Sequence, residues 1–476
     1  MAEILKADLC VIGAGALGRT LALAGRARGL SVILVQRPGD APGRTRNGEL
    51  ARAAILASAA RAHAMASAPA MGLAKADPKP SLRLVGERAA ALVAAAAPAA
   101  APEHLAAQGI VLLDQPAVIL DGRRLQVGDA VIRAGQFVIA TGSRPLLPEL
   151  PGLNQVPFFT PDTIADNLRK LSHLLVIGGG AAALELAQAY TRLGATVTLV
   201  PQGPLLPGFD PEPVSVLLAS LRAEGLTVLE GASVTAIQPR SQGIGIALTH
   251  ADGAAATLDV SHILLAAGRV PDLDPALIAA AALRRDSRQP GGVLLQPDGR
   301  TSNRRITVIG GAAGAFDASH ALQQCAHVLA RATGQAMRPL DPTRLPRLVA
   351  TTLALGQIGE AGALVPRRAG ELILRANASE TAAARADGDL AGSATLLVGA
   401  GGRVRGAAIL GPGAGDLLAM LALAFERDMD AAALADLLVP AGSRATLLVD
   451  LGRQYRALHP PSTWARRLAA LRHWLP

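Results

Sequence analysis

Three glycines near the start of the chain, Gly13, Gly15 and Gly18, have the spacing of a phosphate-binding turn. The apolar segment ADLCVIGAGALG leads into them, an alanine- and arginine-rich helical segment follows, and the apolar segment SVILVQ ends at Gln36. In such a turn the first glycine allows the tight bend, the second lets the backbone approach a pyrophosphate, and the third lets helix and strand pack closely. The following helix directs unpaired N–H groups at the phosphates. This order of strand, glycine turn, helix and strand predicts a dinucleotide-binding unit.

A second unit of the same design begins in the segment LLVIGGGAAALELAQAYTRLGATVTLVP. Gly178, Gly180 and Ala183 follow an apolar strand pattern and open a helix, and the next strand ends at Val200. Two occurrences in the right context predict two nucleotide sites rather than one chance match.

Other glycine turns end apolar segments further along the chain. QFVIATGSRP stops at Thr141 and Gly142, HILLAAGRVP repeats that pattern around Gly268, and ITVIGGAAG spans 306–314. After about residue 344, alternating apolar segments predict an antiparallel sheet. Two helices, about 414–427 and 431–438, are expected to pack on it, and residues 160–173 are expected to form a short helical linker.

The motifs GAGALG, ATGSRP, GGGAAALELA, AAGRVPD and VIGGAAG together resemble the flavoprotein disulfide reductases, which include dihydrolipoamide dehydrogenase and mercuric reductase. The similarity covers roughly residues 5–450. It implies an α/β fold with two Rossmann-like dinucleotide-binding domains, for FAD and for NAD(P), and a C-terminal α+β dimerisation domain. The implied divisions are 1–150 and 266–340 for FAD, 151–265 for NAD(P), 341–455 for dimerisation, and a basic tail over 456–476.

The resemblance also assigns site residues. The expected cofactor-binding residues are Gly13, Gly15, Gly18, Gln36, Thr141, Gly142, Gly310 and Gly311 for FAD, Gly178, Gly180 and Ala183 for NAD or NADP, and in addition Gly268. Two acids are candidate catalytic residues: Glu185, in the helix behind the second turn, and Glu49, at a position that holds a cysteine in the family. The resemblance implies a homodimer.

The redox-active cysteine pair of that family is missing. Counted without gaps from the first glycine turn, its two positions fall on Arg44 and Glu49, and the lysine that follows falls on Ala53. Cys10 lies in a strand and Cys325 in a distant helix. Because only a thiolate can attack a disulfide, relay through a cysteine pair is unavailable. Arg44 and Glu49 either form an ion pair where the disulfide stood or are two solvated charges.

Acids that hold ribose and ribityl groups in the family are also replaced. Gln36 and Gly311 stand where the flavin site carries acids, and Pro201 stands at the acid of the second unit. A lost charge-assisted hydrogen bond is worth roughly 1.5–3 kcal/mol, so losing two is expected to weaken FAD binding by about two to four orders of magnitude. The choice between NAD and NADP stays open.

The acid–base couple of the C-terminal domain is replaced as well. Ala441 and Thr446 fall on the family's histidine and glutamate positions. The pair His459-Pro460 lies beyond the matched segment, and His459 is either a displaced base or a surface histidine.

Composition excludes several classes of function. The chain has 476 residues, a net charge of +9 and 2% aromatic residues. Few aromatics and scattered arginines argue against base stacking on nucleic acid. No apolar run is expected to cross a bilayer, so we expect a soluble cytoplasmic protein. His320, Cys325 and His327 share a helix without a completing motif, so no metal site is predicted.

The end of the chain has the pattern of an amphipathic helix. The apolar positions Trp464, Leu468, Leu471 and Leu475 recur at helical spacing, with Arg466, Arg467 and Arg472 elsewhere on the helix. It either docks on its own domain or makes weak contact with a membrane surface.

The sequence therefore favours an FAD-dependent NAD(P)H oxidoreductase that passes hydride to flavin and on to an unidentified non-thiol acceptor. The alternative is a non-catalytic homologue that acts as a binding or interaction protein. A genuine dihydrolipoamide or mercuric reductase is disfavoured because the cysteine pair is missing.

Overall fold

The computed structural model describes residues 3–38, 44–360 and 368–460, with the side chains of residues 44–47 and of residue 100 outside that description. The chain divides into two compact units. Unit one comprises Met1–Leu205 and Leu221–Pro342, and unit two comprises Leu206–Ser220 and Thr343–Pro476. The amphipathic tail predicted over 462–476 lies outside the described residues.

Unit one holds most of the strands. They are β1 (Glu3–Ile12), β2 (Val32–Gln36), β3 (Val111–Asp114), β4 (Ala117–Asp121), β5 (Arg124–Val127), β6 (Ala130–Ile139), β7 (Ser143–Pro145), β8 (His173–Ile177), β9 (Thr196–Val200), β10 (Thr227–Val228), β11 (Ser233–Pro239), β12 (Ile244–Thr249), β13 (Ala255–Val260), β14 (His262–Leu265), β15 (Arg269–Pro271) and β16 (Ile306–Val308). The α-helices up to the end of this unit are α1 (Ala16–Arg26), α2 (Arg44–Ala66), α3 (Leu82–Ala96), α4 (Pro102–Ala107), α5 (Ala181–Arg192), α6 (Pro211–Ala223, which begins in unit two), α7 (Pro275–Ala280) and α8 (Ala318–Ala332).

The first sheet has the order β3-β2-β1-β6-β5-β4, and β16 also pairs with β6. Strands β3, β2, β1, β6 and β16 run parallel. Because side chains alternate across a strand, Leu9 and Val11 pack towards α1 and α8 while Cys10 and Ile12 pack on the opposite face. Strand β16, which comes after the second sheet along the chain, therefore belongs to the first sheet.

The second sheet is parallel, in the order β10-β9-β8-β14, and a three-stranded antiparallel sheet β11-β12-β13 packs on it. Buried Leu175 and Ile177 of β8 meet Ile237 and Ile246 in one apolar core. Strands β7 and β15 form a separate antiparallel pair. Within 160–173 the one helical segment described is a 3-10 turn, Ile164–Asp166, so the predicted linker is largely irregular.

Unit two contains an antiparallel sheet in the order β17-β18-β21-β20-β19. Its elements are β17 (Arg347–Val349), β18 (Leu355–Gly359), β19 (Leu372–Asn377), α9 (Ala382–Asp387), β20 (Ser393–Val398), β21 (Val404–Leu410), α10 (Ala414–Glu426) and α11 (Thr446–Leu458). The antiparallel sheet and the helix near 414–427 match the sequence prediction. The segment expected as a second helix is a 3-10 helix, Ala431–Asp436, and α11 was not predicted.

One stretch contradicts the expectation that no segment could span a bilayer. The helical stretch Leu82–Ala107 is long and apolar enough by length and composition, with a mean hydropathy of 1.3 and 12% of its most apolar window buried. Its apolarity comes from alanine, which scores as hydrophobic while remaining a small side chain. A single helix that passes this test is weak support for a membrane span, and Ala89 of α3 packs against Ala51 and Ala54 of α2.

Candidate functional site

The first glycine turn joins β1 to α1 and has three distinct environments. A Cβ on Gly13, whose φ is 114°, would lie 2.5 Å from the carbonyl oxygen of Ala140, and one on Gly18 would lie 1.9 Å from that of Gly13. Gly15 is the N-cap of α1, and no described atom lies within 4 Å of its ideal Cβ position. The turn is therefore closed where helix and strand meet and open at its middle glycine, as a bound pyrophosphate requires.

A buried arginine lies beneath this turn. Arg19 is 3% exposed, and its Nη1 donates a hydrogen bond of 2.6 Å to the carbonyl oxygen of Ala14. A cation held here adds to the positive end of the helix dipole, so the turn favours an anion on electrostatic as well as steric grounds. Sequence reasoning missed Arg19 because arginine is common throughout the chain.

A cavity of about 910 Å³ opens beside the turn, within unit one. Its size falls in the range of cofactor sites. The described lining residues include the predicted positions Gly13, Gly15, Gln36 and Thr141, together with a wall of small residues from α3 such as Ala89. No cysteine is among the described lining residues. The residues present fit an elongated nucleotide cofactor.

The ATG turn is fixed by the main chain around Asp272. Thr141 Oγ1 donates to the Asp272 carbonyl oxygen at 2.6 Å, and the Asp272 N–H donates to the Gly142 carbonyl oxygen at 3.0 Å. Gly268 lies just before β15, and its carbonyl oxygen accepts a hydrogen bond from the N–H of Leu146 at 2.9 Å. The two echoing motifs of the sequence, ATGSRP and AAGRVP, are thereby paired strand to strand.

An ion pair at the cavity wall was not anticipated. Arg269 Nη1 donates to both carboxylate oxygens of Asp162, at 2.8 and 3.0 Å, and its Nε donates to the Ser143 hydroxyl at 2.8 Å. All three residues line the cavity. Asp162 and Arg269 are 107 positions apart, and the only sequence signal was the presence of Arg269 within a repeated motif.

The turn at Gly310 and Gly311 has no room for the acid that the family carries there. A Cβ on Gly311 would lie 2.7 Å from the hydroxyl oxygen of Ser143, which Arg269 already holds. The N–H of Gly310 donates to the side-chain oxygen of Gln324 at 2.8 Å. Restoring an aspartate at 311 therefore requires Ser143 to move. Gln36, at the end of β2, is 9% exposed and lines the cavity.

The second glycine turn, between β8 and α5, repeats the geometry of the first. A Cβ on Gly178 would lie 2.1 Å from the carbonyl oxygen of Ala266, while no described atom lies within 4 Å of an ideal Cβ on Gly180, the N-cap of α5. Ala183 is 1% exposed. This turn is likewise open at its middle glycine.

Glu185 in α5 is buried and paired with an arginine of α2. Arg52 Nη1 lies 3.7 Å from Glu185 Oε2, and the two side chains are 33% and 5% exposed. Counting along the sequence without gaps placed the family's lysine position at Ala53, but in the structure the positive charge beside Glu185 comes from Arg52. Because a buried carboxylate is costly without a partner, this pair is a structural requirement as well as a candidate functional one.

The second candidate catalytic acid, Glu49, is exposed and is not among the described lining residues, whereas its neighbours Gly48 and Ala51 are. Glu49 thus lies next to a lining residue of the cavity, and its role beside the flavin stays a prediction. The side chain of Arg44 lies outside the described residues, so its ion pair with Glu49 stays a prediction.

Unit two holds no acid–base couple at the predicted positions. Arg444, between Ala441 and Thr446, bonds to Asp387 at 2.5 Å and to Asp389 at 2.7 Å. His459 is exposed, and its ring stacks on Tyr455 with 4.3 Å between centroids.

Cys10, Cys325 and His327 are buried. Burial raises the pKa of both thiols, that of Cys325 to about 12, so neither is a thiolate at neutral pH. Burial also lowers the pKa of His327. Within the described ranges no cluster of three or more potential ligands could hold a metal ion.

Two sheets built on parallel strands, each with an open glycine turn, and a separate unit with an antiparallel sheet are typical of the two-dinucleotide oxidoreductases. Residues 7–333 match the pyridine nucleotide-disulphide oxidoreductase family, and the chain belongs to that family. The match confirms the resemblance inferred from the motifs.

The curated relatives are mercuric reductases and dihydrolipoyl dehydrogenases. The chain is 31% identical over 360 residues to mercuric reductase of Streptomyces lividans, covering 74% of this chain and 75% of the relative. It is 33% identical over 291 residues to dihydrolipoyl dehydrogenase of Thermus scotoductus, covering 59% and 61%. The match spans 56% of the Acidithiobacillus ferrooxidans mercuric reductase and 36% of the Lysinibacillus sphaericus one, so much of the length of these two relatives lies outside the match.

Solved structures share the fold over nearly the whole chain. LpdA from Mycobacterium tuberculosis matches with a TM-score of 0.82 at 21% identity, covering 94% of this chain and 99% of that one. The flavoprotein disulfide reductase RclA from Escherichia coli matches with a TM-score of 0.79 at 20% identity and the same coverage. The fold class predicted from the sequence is thereby confirmed, as are a flavin and a pyridine nucleotide as cofactors of the family.

Proposed function

We propose that the protein is an FAD-dependent NAD(P)H oxidoreductase that transfers electrons to a small non-thiol acceptor such as a quinone, a dye or dioxygen. The observation that carries the proposal is the pair of glycine turns, each closed by backbone at its first glycine and open at Gly15 or Gly180. When bound, FAD supplies the redox chemistry, accepting hydride from the nicotinamide and passing electrons on.

Residues of unit one would bind the two cofactors. The Gly13–Gly18 turn and the buried Arg19 would bind the flavin pyrophosphate, with Gln36 as an uncharged hydrogen-bonding group at the ribose. Thr141 lines the cavity and would face the flavin, and the family resemblance adds Gly142, Gly268, Gly310 and Gly311 at that end of the cofactor. Gly178, Gly180 and Ala183 would form the turn for the nicotinamide cofactor. Their fit rests on the open space at the middle glycines and on the cavity of about 910 Å³.

Glu185 and Arg52 are proposed as the charged pair behind the second turn. Arg52 is a positioning residue, since it holds the buried carboxylate in place. Glu185 and Glu49 stay the two candidate catalytic residues, although neither is among the described lining residues of the cavity and Glu49 is exposed.

A non-thiol acceptor follows from the chemistry of the two cysteines. Both are buried with raised pKa values, and neither is among the described lining residues of the cavity. A thiolate is needed both to attack a disulfide and to hold a soft metal, so disulfide or mercuric reduction is not expected. By family membership a homodimer built through unit two is the expected assembly.

The test begins with purified full-length protein, its visible spectrum and a titration with FAD. Flavin absorbance that bleaches anaerobically on addition of NADH or NADPH, and returns with a quinone or with air, supports the proposal. Oxidised lipoamide, glutathione disulfide and Hg²⁺ should not restore it.

The competing function is a non-catalytic homologue. The replacement of two flavin-binding acids by Gln36 and Gly311 favours it, since Ser143 now fills the space that the second acid needs. Protein that takes up no FAD at tens of micromolar, yet is folded, would establish this reading instead.

A further inference from the structure

A second cavity of unit one, about 650 Å³, lies at the carboxyl ends of β9 and β10. Residues 200–205 and 230–234 line it. The first of these segments also borders the second glycine turn, because a Cβ on Gly179 would lie 3.2 Å from Pro201 Cβ and 3.3 Å from Leu205 Cδ2. In open α/β sheets ligands bind outside the carboxyl ends of the strands, so the part of a dinucleotide beyond the pyrophosphate would enter here.

The charged lining of this second cavity is negative. Among the described residues that line it, Glu230 is the one ionisable side chain, and no lysine or arginine is present. The nearest described cation partner is Arg222, whose Nη2 donates to Glu230 Oε1 at 2.5 Å from outside the lining, with side chains 44% and 52% exposed. Pro201 brings neither a charge nor an N–H to the end of β9.

We propose that the second site prefers NADH to NADPH and that Glu230 is the residue that sets the preference. This inference rests on the proposed function. A 2′-phosphate would enter beside a carboxylate with no lining cation to receive it, and recognition of that phosphate ordinarily needs an arginine. A free 2′-hydroxyl can instead donate to Glu230 or bond to the side chains of Gln202 and Ser233, which also line the cavity.

The test compares two ligands that report on this cavity without involving flavin. Full-length protein is titrated by calorimetry with ADP-ribose and with 2′-phospho-ADP-ribose, and the expected result is that ADP-ribose binds tighter by about tenfold or more, since like charges brought together disfavour the wrong ligand. Anaerobic flavin reduction by NADH and NADPH should show the same order.

Three variants test whether Glu230 causes the preference for the ligand without a 2′-phosphate. Glu230→Arg should lower the ratio of the two affinities by about tenfold or more, and Glu230→Gln by less, because only the first supplies a cation. Asp259→Arg is the matched charge reversal, at a 78% exposed side chain that does not line the cavity, and should leave the ratio unchanged.

The outcomes distinguish a failure of the NADH preference from a failure of the proposed function. Tighter binding of 2′-phospho-ADP-ribose, or a ratio that Glu230→Arg does not alter, overturns the preference while the proposed function stands. Binding of neither ligand by folded protein overturns the proposed function and the preference with it.

Discussion

Replacing Arg52 by alanine removes the cation that faces buried Glu185. The two charged atoms are 3.7 Å apart. With an effective dielectric constant of about 20, their attraction is about 4–5 kcal/mol before desolvation is counted. Arg52 is 33% exposed, so water replaces part of that attraction when the side chain is removed. We therefore expect Arg52→Ala to lower the free energy of unfolding by about 2–3 kcal/mol.

Urea denaturation of flavin-free protein measures the effect, with Arg52→Lys as the control that keeps the charge and should lose about 1 kcal/mol or less. In a Glu185→Gln background the carboxylate is gone, so Arg52→Ala should cost under about 1 kcal/mol. A loss that is the same in both backgrounds would mean that Arg52 stabilises the fold through packing and not through Glu185. If Arg52→Ala has the same free energy of unfolding as the parent, the ion pair does not stabilise the fold and the prediction is wrong.

Two further predictions follow from contacts in unit one. Gly15→Val should change the free energy of unfolding by less than about 1 kcal/mol and yet weaken FAD binding by about a hundredfold, because the valine side chain enters open space where the pyrophosphate is expected. Gly18→Ala should instead lower the free energy of unfolding by about 3 kcal/mol or more, because the added methyl group clashes with the backbone. Flavin titration beside thermal unfolding separates the two, and equal FAD affinity of Gly15→Val and the parent would contradict the assigned turn. Asp8 has a lowered pKa because the Ser31 hydroxyl and N–H donate to it at 2.6 and 2.8 Å. A lowered folded pKa stabilises above the unfolded value of about 3.9 and loses that stability as pH falls through the folded pKa, so Ser31→Ala should cost about 1 kcal/mol at pH 7 and less at pH 3. A pH-independent difference between the two proteins would contradict this assignment.

The glycine turns could be predicted because their requirements are local. A tight bend next to a strand end, as at Gly13, leaves a signature in adjacent residues that any reader of the sequence can find. The parallel sheets followed from the same segments, since buried parallel strands are continuously apolar.

Pairs between distant elements could not be predicted. Arg269 meets Asp162 because Phe159, shortly before Asp162, bridges Leu264, shortly before Arg269, and so brings the two segments together. The cation opposite Glu185 was missed by one position, at Ala53 instead of Arg52. Neighbouring residues of a helix point about 100° apart, so an uninterrupted count cannot decide which one faces a partner.

The secondary structure of unit two was predicted in type but not in detail. The short segment Ala431–Asp436 is apolar with alanine, which suits an α-helix, yet it is held as a 3-10 helix with Asp430 accepting from the Ala433 N–H at 2.9 Å. Helix α11 begins at Thr446, inside the segment that resembles the family's acid–base motif, and continues to Leu458, beyond that segment, where the sequence analysis assigned no helix.

The most direct measurement is an anaerobic spectral titration of the FAD-loaded, full-length protein with NADH, followed by admission of a quinone. If the two glycine turns hold a flavin and a pyridine nucleotide, absorbance near the flavin maximum disappears with about one equivalent of NADH and returns on addition of the quinone, and the double variant Cys10→Ala, Cys325→Ala shows both steps unchanged. Flavin that stays oxidised in excess NADH and NADPH, or a protein that holds no flavin at all, would contradict the account.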